Sequence, residues 1–490
     1  LIIIIFKNNS RFWKNNIRIG DINYCNYPCS ILSRRWVLEV KKVLVFLFLF
    51  TPMLFSFNVF SKEVISSEVE EDSTVQKSVN IFGTDLSSKS NDIKLKYEAG
   101  SGLEFKGGDA FKLNIGARIQ FRFESAEKNQ EKRGPTSSDG SEGTSHDFQT
   151  RRFQLTFNGY AYSPDIFYKY SICSDKNGTG CVGADGFGIE DAYFGYKTGE
   201  VLRLTVGQMH VPHTLEALTS SSKLTFVDRS SKHLTFERDH GIKLDLSMPN
   251  KTLMLTGFLG AGLGGNNARG SSQADVWDKI YVTRIEWTPF GKMKYGQVDL
   301  KKSDEMKLRI GASQLWWNGL NVYYTGSAFK EEDGTTSLGH SGKLDDRIED
   351  IATAYSKNGK TALTGVTYLD ISSRTYDVGF KYKGLSGEFE YTTLTGDESI
   401  LGYGKESLDW ARIQGNYHIT NGWVAGYRYG VRDNSDQKKD KILEHTYQVS
   451  KYFVGHNLKI NADYGYINEQ QLTGDDKQTR TIRVQAQLKF

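Results

Sequence analysis

The sequence predicts an all-β protein: a transmembrane antiparallel β-barrel of about 16 strands with an inward-folded third loop. Three observations predict it. Apolar and polar residues alternate with a period of two over long stretches, the connections between these stretches switch regularly between short and long, and the chain is too polar for a bundle of membrane helices. Of its 490 residues 13% are aromatic, with 28 Phe, 26 Tyr and 49 Gly against 7 Pro, and the mean hydropathy is negative. An apolar exterior around a wet interior needs that mixture, whereas helical spans would need runs of ~20 apolar residues.

The alternation is explicit from residue 111. Phe111, Leu113, Ile115, Ala117, Ile119, Phe121 and Phe123 are separated by Lys112, Asn114, Gly116, Arg118, Gln120, Arg122 and Glu124. Successive side chains of a strand point to opposite faces, so one face is apolar and the other polar. The run outlasts a soluble strand of ~5 to 6 residues and suits a tilted membrane crossing of ~9 to 11. The same pattern recurs over 148–162, 166–174, 188–197, 201–208, 239–248, 252–260, 279–288, 305–316, 373–383, 387–395, 408–420, 423–432, 443–453, 457–467 and 479–490. Sixteen is an even number, as single-chain bacterial barrels have. Links such as 163–165, 198–200, 249–251, 384–386 and 421–422 are short; those near 125–147, 209–237, 261–277 and 317–372 are long. Tight turns at one end and long loops at the other mark an outer-membrane barrel. Tyr160, Tyr162, Tyr196, Trp287, Tyr382, Trp423, Tyr452 and Phe453 gather at the short-turn ends, where a periplasmic aromatic girdle is expected.

The barrel is expected to occupy 111–490, behind three segments. Residues 1–36 lack an initial Met and read as a non-native leader or a mis-set start. Residues 37–61 read as a signal peptide: Arg34, Arg35, Lys41 and Lys42 precede an apolar run, and Val59 and Ser61 stand at −3 and −1 of a cleavage site before Lys62. Residues 62–110 are expected to form a periplasmic lead-in, poorly ordered from 62 to about 95 where Ser and Glu dominate without periodicity. The first 61 residues carry eight Lys/Arg and two Asp/Glu, so the formal +4 of the whole chain falls to about −2 without them. No global field remains to attract nucleic acid, and any ion preference must come from where charges are placed. Cys25 and Cys29 lie in the leader; Cys173 and Cys181 flank a turn-rich stretch that a disulfide would close in an oxidising compartment.

With the apolar face turned to lipid, this register puts eighteen Lys/Arg but only eight Asp/Glu on the lumen side. Low-dielectric walls concentrate that excess, which favours anions. The 209–236 loop carries Leu215, Leu218, Leu224, Phe226 and Val227, which solvent would not stabilise; folded inward, it would bury them and narrow the channel. The narrowing is then expected to hold Arg118, Arg122 and Arg152 from the wall, Arg151 at a rim or an irregularity, and Lys223, Arg229, Lys232 and Arg238 from the loop and its exit. Guanidinium forks bind phosphate or carboxylate in bidentate fashion. His210, His213 and Glu216 have metal-ligand chemistry, but Pro212 denies them a regular helix face, and no metal or other cofactor is expected. The glycine-rich stretch 260–265 follows a strand with no helix after it and reads as a loop rather than a phosphate cradle. No Ser-His-acid arrangement falls on one strand face, so no enzyme is expected.

The motifs FQTRRFQLTFNGY (148–160), EDAYFGY (190–196), VGQMHVP (206–212), LTS (218–220) and FVDRS (226–230) resemble those of the phosphate-selective porin O and P family. The resemblance is strongest over 95–300. It implies a trimeric outer-membrane porin of a Gram-negative bacterium, with a third loop inside the pore and Arg and Lys at the constriction. By matching motif, Arg152, Arg151 and Arg229 take that role. His210 and His213 at the loop entry, and the wall's acidic residues, depart from the pattern. The expected function is passive diffusion of small anions, with phosphate selectivity implied by the family; the alternative is a general or substrate-specific channel, for sugars for example. Expected partners are small anions such as phosphate, outer-membrane lipids and lipopolysaccharide, two further copies of the chain, and the barrel-assembly machinery, which in proteins this one resembles recognises a terminal aromatic such as Phe490.

Overall fold

The computed structural model describes residues 93–490 except 99, 101, 130–142, 175–186, 231–235, 237, 249, 263–278, 325–328, 331–364, 398–405, 435–438 and 472–475, together with 80–81 and 84–85. The leader, the signal segment, Lys232 and Cys181 lie outside the described residues; Cys173 is disulfide-bonded.

Sixteen strands form a closed antiparallel barrel in chain order: β1 (Phe111–Asn129), β2 (Gly143–Ala161), β3 (Ile166–Ser174), β4 (Phe187–Thr198), β5 (Leu202–His210), β6 (Arg238–Ser247), β7 (Leu253–Gly260), β8 (Lys279–Trp287), β9 (Lys307–Tyr324), β10 (Gly365–Tyr382), β11 (Leu385–Asp397), β12 (Glu406–His418), β13 (Trp423–Asn434), β14 (Lys439–Val454), β15 (Leu458–Gln471) and β16 (Lys477–Lys489). At the seam β16 pairs with β1, and Phe490 exchanges two backbone hydrogen bonds with Ala117, 2.7 and 2.9 Å. Closure leaves no strand edge to be solvated by lipid, which could not solvate one. The wall inverts a soluble protein: Ile413 is 55% exposed, while Arg412 and Gln414 beside it are 1% and 3%. Only lipid outside and polar packing inside make that arrangement stable. Tyr160 and Tyr452, expected in the girdle, share the inward parity. Tyr160 donates to Gly108 O, and Tyr452 packs on Val298 and Val424.

The segment expected as a lead-in, 62–110, contains a hairpin, Lys94–Glu98 with Gly102–Gly107, whose second strand pairs with β1 below the level of Phe490. Leu95, Tyr97, Leu103 and Phe105 alternate with charged residues there, so the period-two signal was present but short. Gly102 has φ +84°, and a Cβ on it would stand 1.9 Å from Ile115 O, so only glycine fits. Two irregularities matter for the lumen. Gln120 pairs with Arg152 and Phe121 with Thr150, leaving Arg151 as the extra residue of a bulge; a second irregularity opposite Ser171 and Ile172 does the same for Glu190.

Among the described residues, two connections lie against the polar face of the wall. The one after β5 contains a single-turn helix, α1 (Leu215–Leu218), capped by Thr214 Oγ1, which accepts from Ala217 N at 3.2 Å. Its backbone and side chains bond in turn to Arg284 on β8, Ser313 on β9, Glu390 on β11, Arg428 on β13, Glu444 on β14, Asp463 on β15 and Arg122 on β1. Such a circuit of the wall places it inside the barrel. Leu215, Leu224, Phe226 and Val227 are buried there. The second is the 288–306 connection at the short-turn end, which sequence periodicity does not mark. Met293 and Val298 are buried, and Gln297 meets the first connection, accepting from Thr225 N through Oε1 at 2.9 Å.

Candidate functional site

The inner connection is clamped on the β8–β15 side. Glu216 Oε2 meets Arg412 at 3.0 Å, and Arg412 also holds Glu388 and Glu390 at 3.1 and 3.0 Å, all buried. Glu390 accepts from the backbone N–H of Leu215 at 2.6 Å and of Glu216 at 3.1 Å, which satisfies the exposed donors of α1. His213 is fixed by Ser313 Oγ at Nδ1, 2.9 Å, and by Ser373 Oγ at Nε2, 2.8 Å. Burial, and after it the neighbouring Arg284, hold its pKa down at about 3, so the ring is neutral. Phe236 packs edge-on against both His213 and Trp317.

Away from this clamp, a cavity of about 290 Å³ remains between the β1–β3 wall and residues Ser220 and Ser222. Arg118, Lys169 and Lys489 line it with Asn114, Gln154 and Asn158. Strand register explains the grouping: Asn114 pairs with Asn158 and Asn158 with Lys169, while Arg118 pairs with Gln154 on one side and with Lys489 on the other. Arg118 donates to Ser221 Oγ at 3.0 Å. Lys169 is held by Asp191 at 2.5 Å. Lys223 follows Ser222 in the chain, with its side chain beside Gly296; burial, then Lys294, pull its ammonium below the usual value.

The residues expected at the narrowing take different places. Arg118 lines the cavity. Arg151 and Arg152 share the bulge, and the charges acting on Arg152 are Arg151, Asp228, Arg118 and Arg229. Arg122 is a clamp: it holds Asp228 Oδ2 at 3.0 Å, Val227 O at 3.2 Å and Gln485. Arg229 turns back on its own connection, donating to Glu216 O and Thr219 O, both at 3.0 Å. Arg238 is held by Glu190 at 2.8 Å and Asp191 at 2.9 Å. Glu190, Glu216, Asp228 and Glu444 enter these inward networks beside Arg229 and Arg238, charges of both signs that strand parity alone does not count. Lys169 and Lys489 join the site; their lumen parity was readable, their nearness to Arg118 and Ser222 was not.

Geometry of this kind, a polar-lined closed barrel narrowed from within, is that of a channel. The model of the phosphate-selective porin O and P family matches residues 134–490. The chain is a member of that family. This porin therefore belongs to the outer membrane of a Gram-negative bacterium, and its family and fold point to a channel. No curated protein matches the porin. Similar solved structures include the outer-membrane channel DcaP of Acinetobacter baumannii, at 14% identity and a TM-score of 0.46, covering 77% of this chain and 97% of that one. An anion-selective porin from Comamonas acidovorans aligns at 7% identity with a TM-score of 0.47, over 77% and 99% of the two chains. The trimer form of OmpT from Vibrio cholerae aligns at 11% identity with a TM-score of 0.43, over 77% and 100%.

Proposed function

We propose that the porin passes small anions, phosphate among them, along the β1–β3 side of its lumen, and that Arg118, Lys489, Lys223 and Arg152 draw and hold them. One observation carries this reading. Arg118 and Lys489 stand directly opposite each other across the β1–β16 seam. Like charges in opposed positions destabilise a sheet unless an anion lies between them. Glu190, the carboxylate that acts most strongly on Arg118, is shared with Arg238, and others are committed to Arg412 and Arg428. A homotrimer, lipopolysaccharide around the apolar band, and recognition of Phe490 by the assembly machinery follow from the family resemblance and belong to the same proposal.

The test is block of chloride current by inorganic phosphate in planar bilayers. Arg118→Ala removes a charge-assisted contact worth ~1.5 to 3 kcal/mol in a desolvated site, so the blocking concentration should rise about 10- to 100-fold. Arg152→Ala should act in the same direction. Lys243→Ala, at a lumen position paired with Asp245 on β6, should change it little. Equal effects at Arg118 and Lys243 would remove the site from this cavity.

A further inference from the structure

We infer that the cavity is fitted to a hydroxyl-rich organophosphate, a sugar phosphate or polyol phosphate, rather than to bare inorganic phosphate. This deepens the anion reading above and rests on it. The first argument is size. A cavity of about 290 Å³ has room for many waters and for far more than one tetrahedral anion.

The second argument is how the polar groups are sorted. The cationic end is formed by Arg118 and Lys489. Toward the Asn114–Asn158–Lys169 row the lining becomes neutral in effect, since Lys169 is already matched by Asp191. Asn114 Nδ2 donates to Asn158 Oδ1 at 3.2 Å, which turns Asn114 Oδ1 and Asn158 Nδ2 to other partners. Gln154 gives one amide N–H to Glu190, which leaves its Oε1 and its second N–H for a solute. Thr156, Ser220 and Ser222 add hydroxyls that both donate and accept. A bare phosphate chiefly accepts hydrogen bonds and has at most a proton or two to give. Carboxamide oxygens facing it would be idle or repulsive. Sugar hydroxyls donate and accept at once, so each group of the neutral end finds a partner while the phosphate meets the cations.

The third argument is that such recognition is discriminating. A site built to bond hydroxyls rejects an analogue lacking them, because its own polar groups are then left unpaired. The experiment therefore compares three probes on the full-length porin in planar bilayers: inorganic phosphate, glucose 6-phosphate and hexyl phosphate. The last shares the charge and approximate length of the second without its hydroxyls. Glucose 6-phosphate should block chloride current at a concentration roughly tenfold lower than either of the others, as two or three modest hydrogen bonds would give. Asn158→Leu should weaken block by glucose 6-phosphate about tenfold more than block by hexyl phosphate. If hexyl phosphate or inorganic phosphate blocks as well as the sugar phosphate, the hydroxyl inference is overturned while the anion reading stands. If none of the three blocks, the anion reading falls and takes the inference with it.

Discussion

His213 shows how a residue that suggests one chemistry in sequence serves another in the fold. Beside His210 and Glu216 it has the makings of a metal ligand, yet both its ring nitrogens are taken by Ser313 and Ser373. Its depressed pKa sets a sign for pH dependence. An undocked histidine titrates near ~6.5, whereas the docked ring refuses the proton down to about 3. Docking of the inner connection is thus fully supported above pH ~6.5 and weakens progressively as pH falls toward 3. Conductance of the wild-type channel should become larger or noisier over that window, and His213→Gln should lose most of the difference; an unchanged pH profile in the variant would exclude this histidine as the cause. The arginines carry the same lesson. Arg122, Arg229 and Arg238 are lumen or loop cations by parity, and sequence reasoning places them at the narrowing. Arg122 is held by Asp228, 106 residues away, and Arg238 by Asp191, 47 residues away, and no local pattern announces such partners.

At the scale of elements, the strands were legible because a period of two over ten or more residues has few other meanings, and their order followed from alternating link lengths. The hairpin over 94–107 escaped because two strands of five and six residues give a weak signal. The 288–306 connection escaped for a different reason. Nothing periodic marks it, and tight turns are the rule at that end of a barrel, so a segment packed inward by Met293, Val298 and Gln297 is visible only in three dimensions. The first connection was legible as an inward element through its apolar residues, but its anchor was not. Three carboxylates, Glu216, Glu388 and Glu390, converge on Arg412 from strands and connection alike. Removing the guanidinium leaves them buried and uncompensated, at a cost of ~3 to 5 kcal/mol. Arg412→Met should therefore free α1 from the wall, raise single-channel conductance and expose the connection to protease; a variant with wild-type conductance and resistance would show that the clamp does not hold it.

For the molecule as a whole, charge placement decides more than net charge. A chain near neutrality without its first 61 residues still gathers Arg118, Arg151, Arg152 and Lys489 on the β1–β2 and β16 side of its lumen, while Glu216, Glu388, Glu390 and Glu444 are spent on Arg412 and Arg428 and Glu190, Asp191 and Asp228 are shared among Lys169, Arg238 and Arg122. Field lines confined by the low-dielectric wall make that asymmetry felt by permeating ions, and salt should weaken it as the Debye length shortens from ~10 Å at 0.1 M to ~3 Å at 1 M. The most direct measurement is the reversal potential of the purified porin in a planar bilayer under a potassium chloride gradient. It should lie close to the chloride equilibrium potential at 0.1 M and move toward zero as both solutions approach 1 M. A reversal potential near that of potassium, or one that stays at zero across the salt range, would contradict the account.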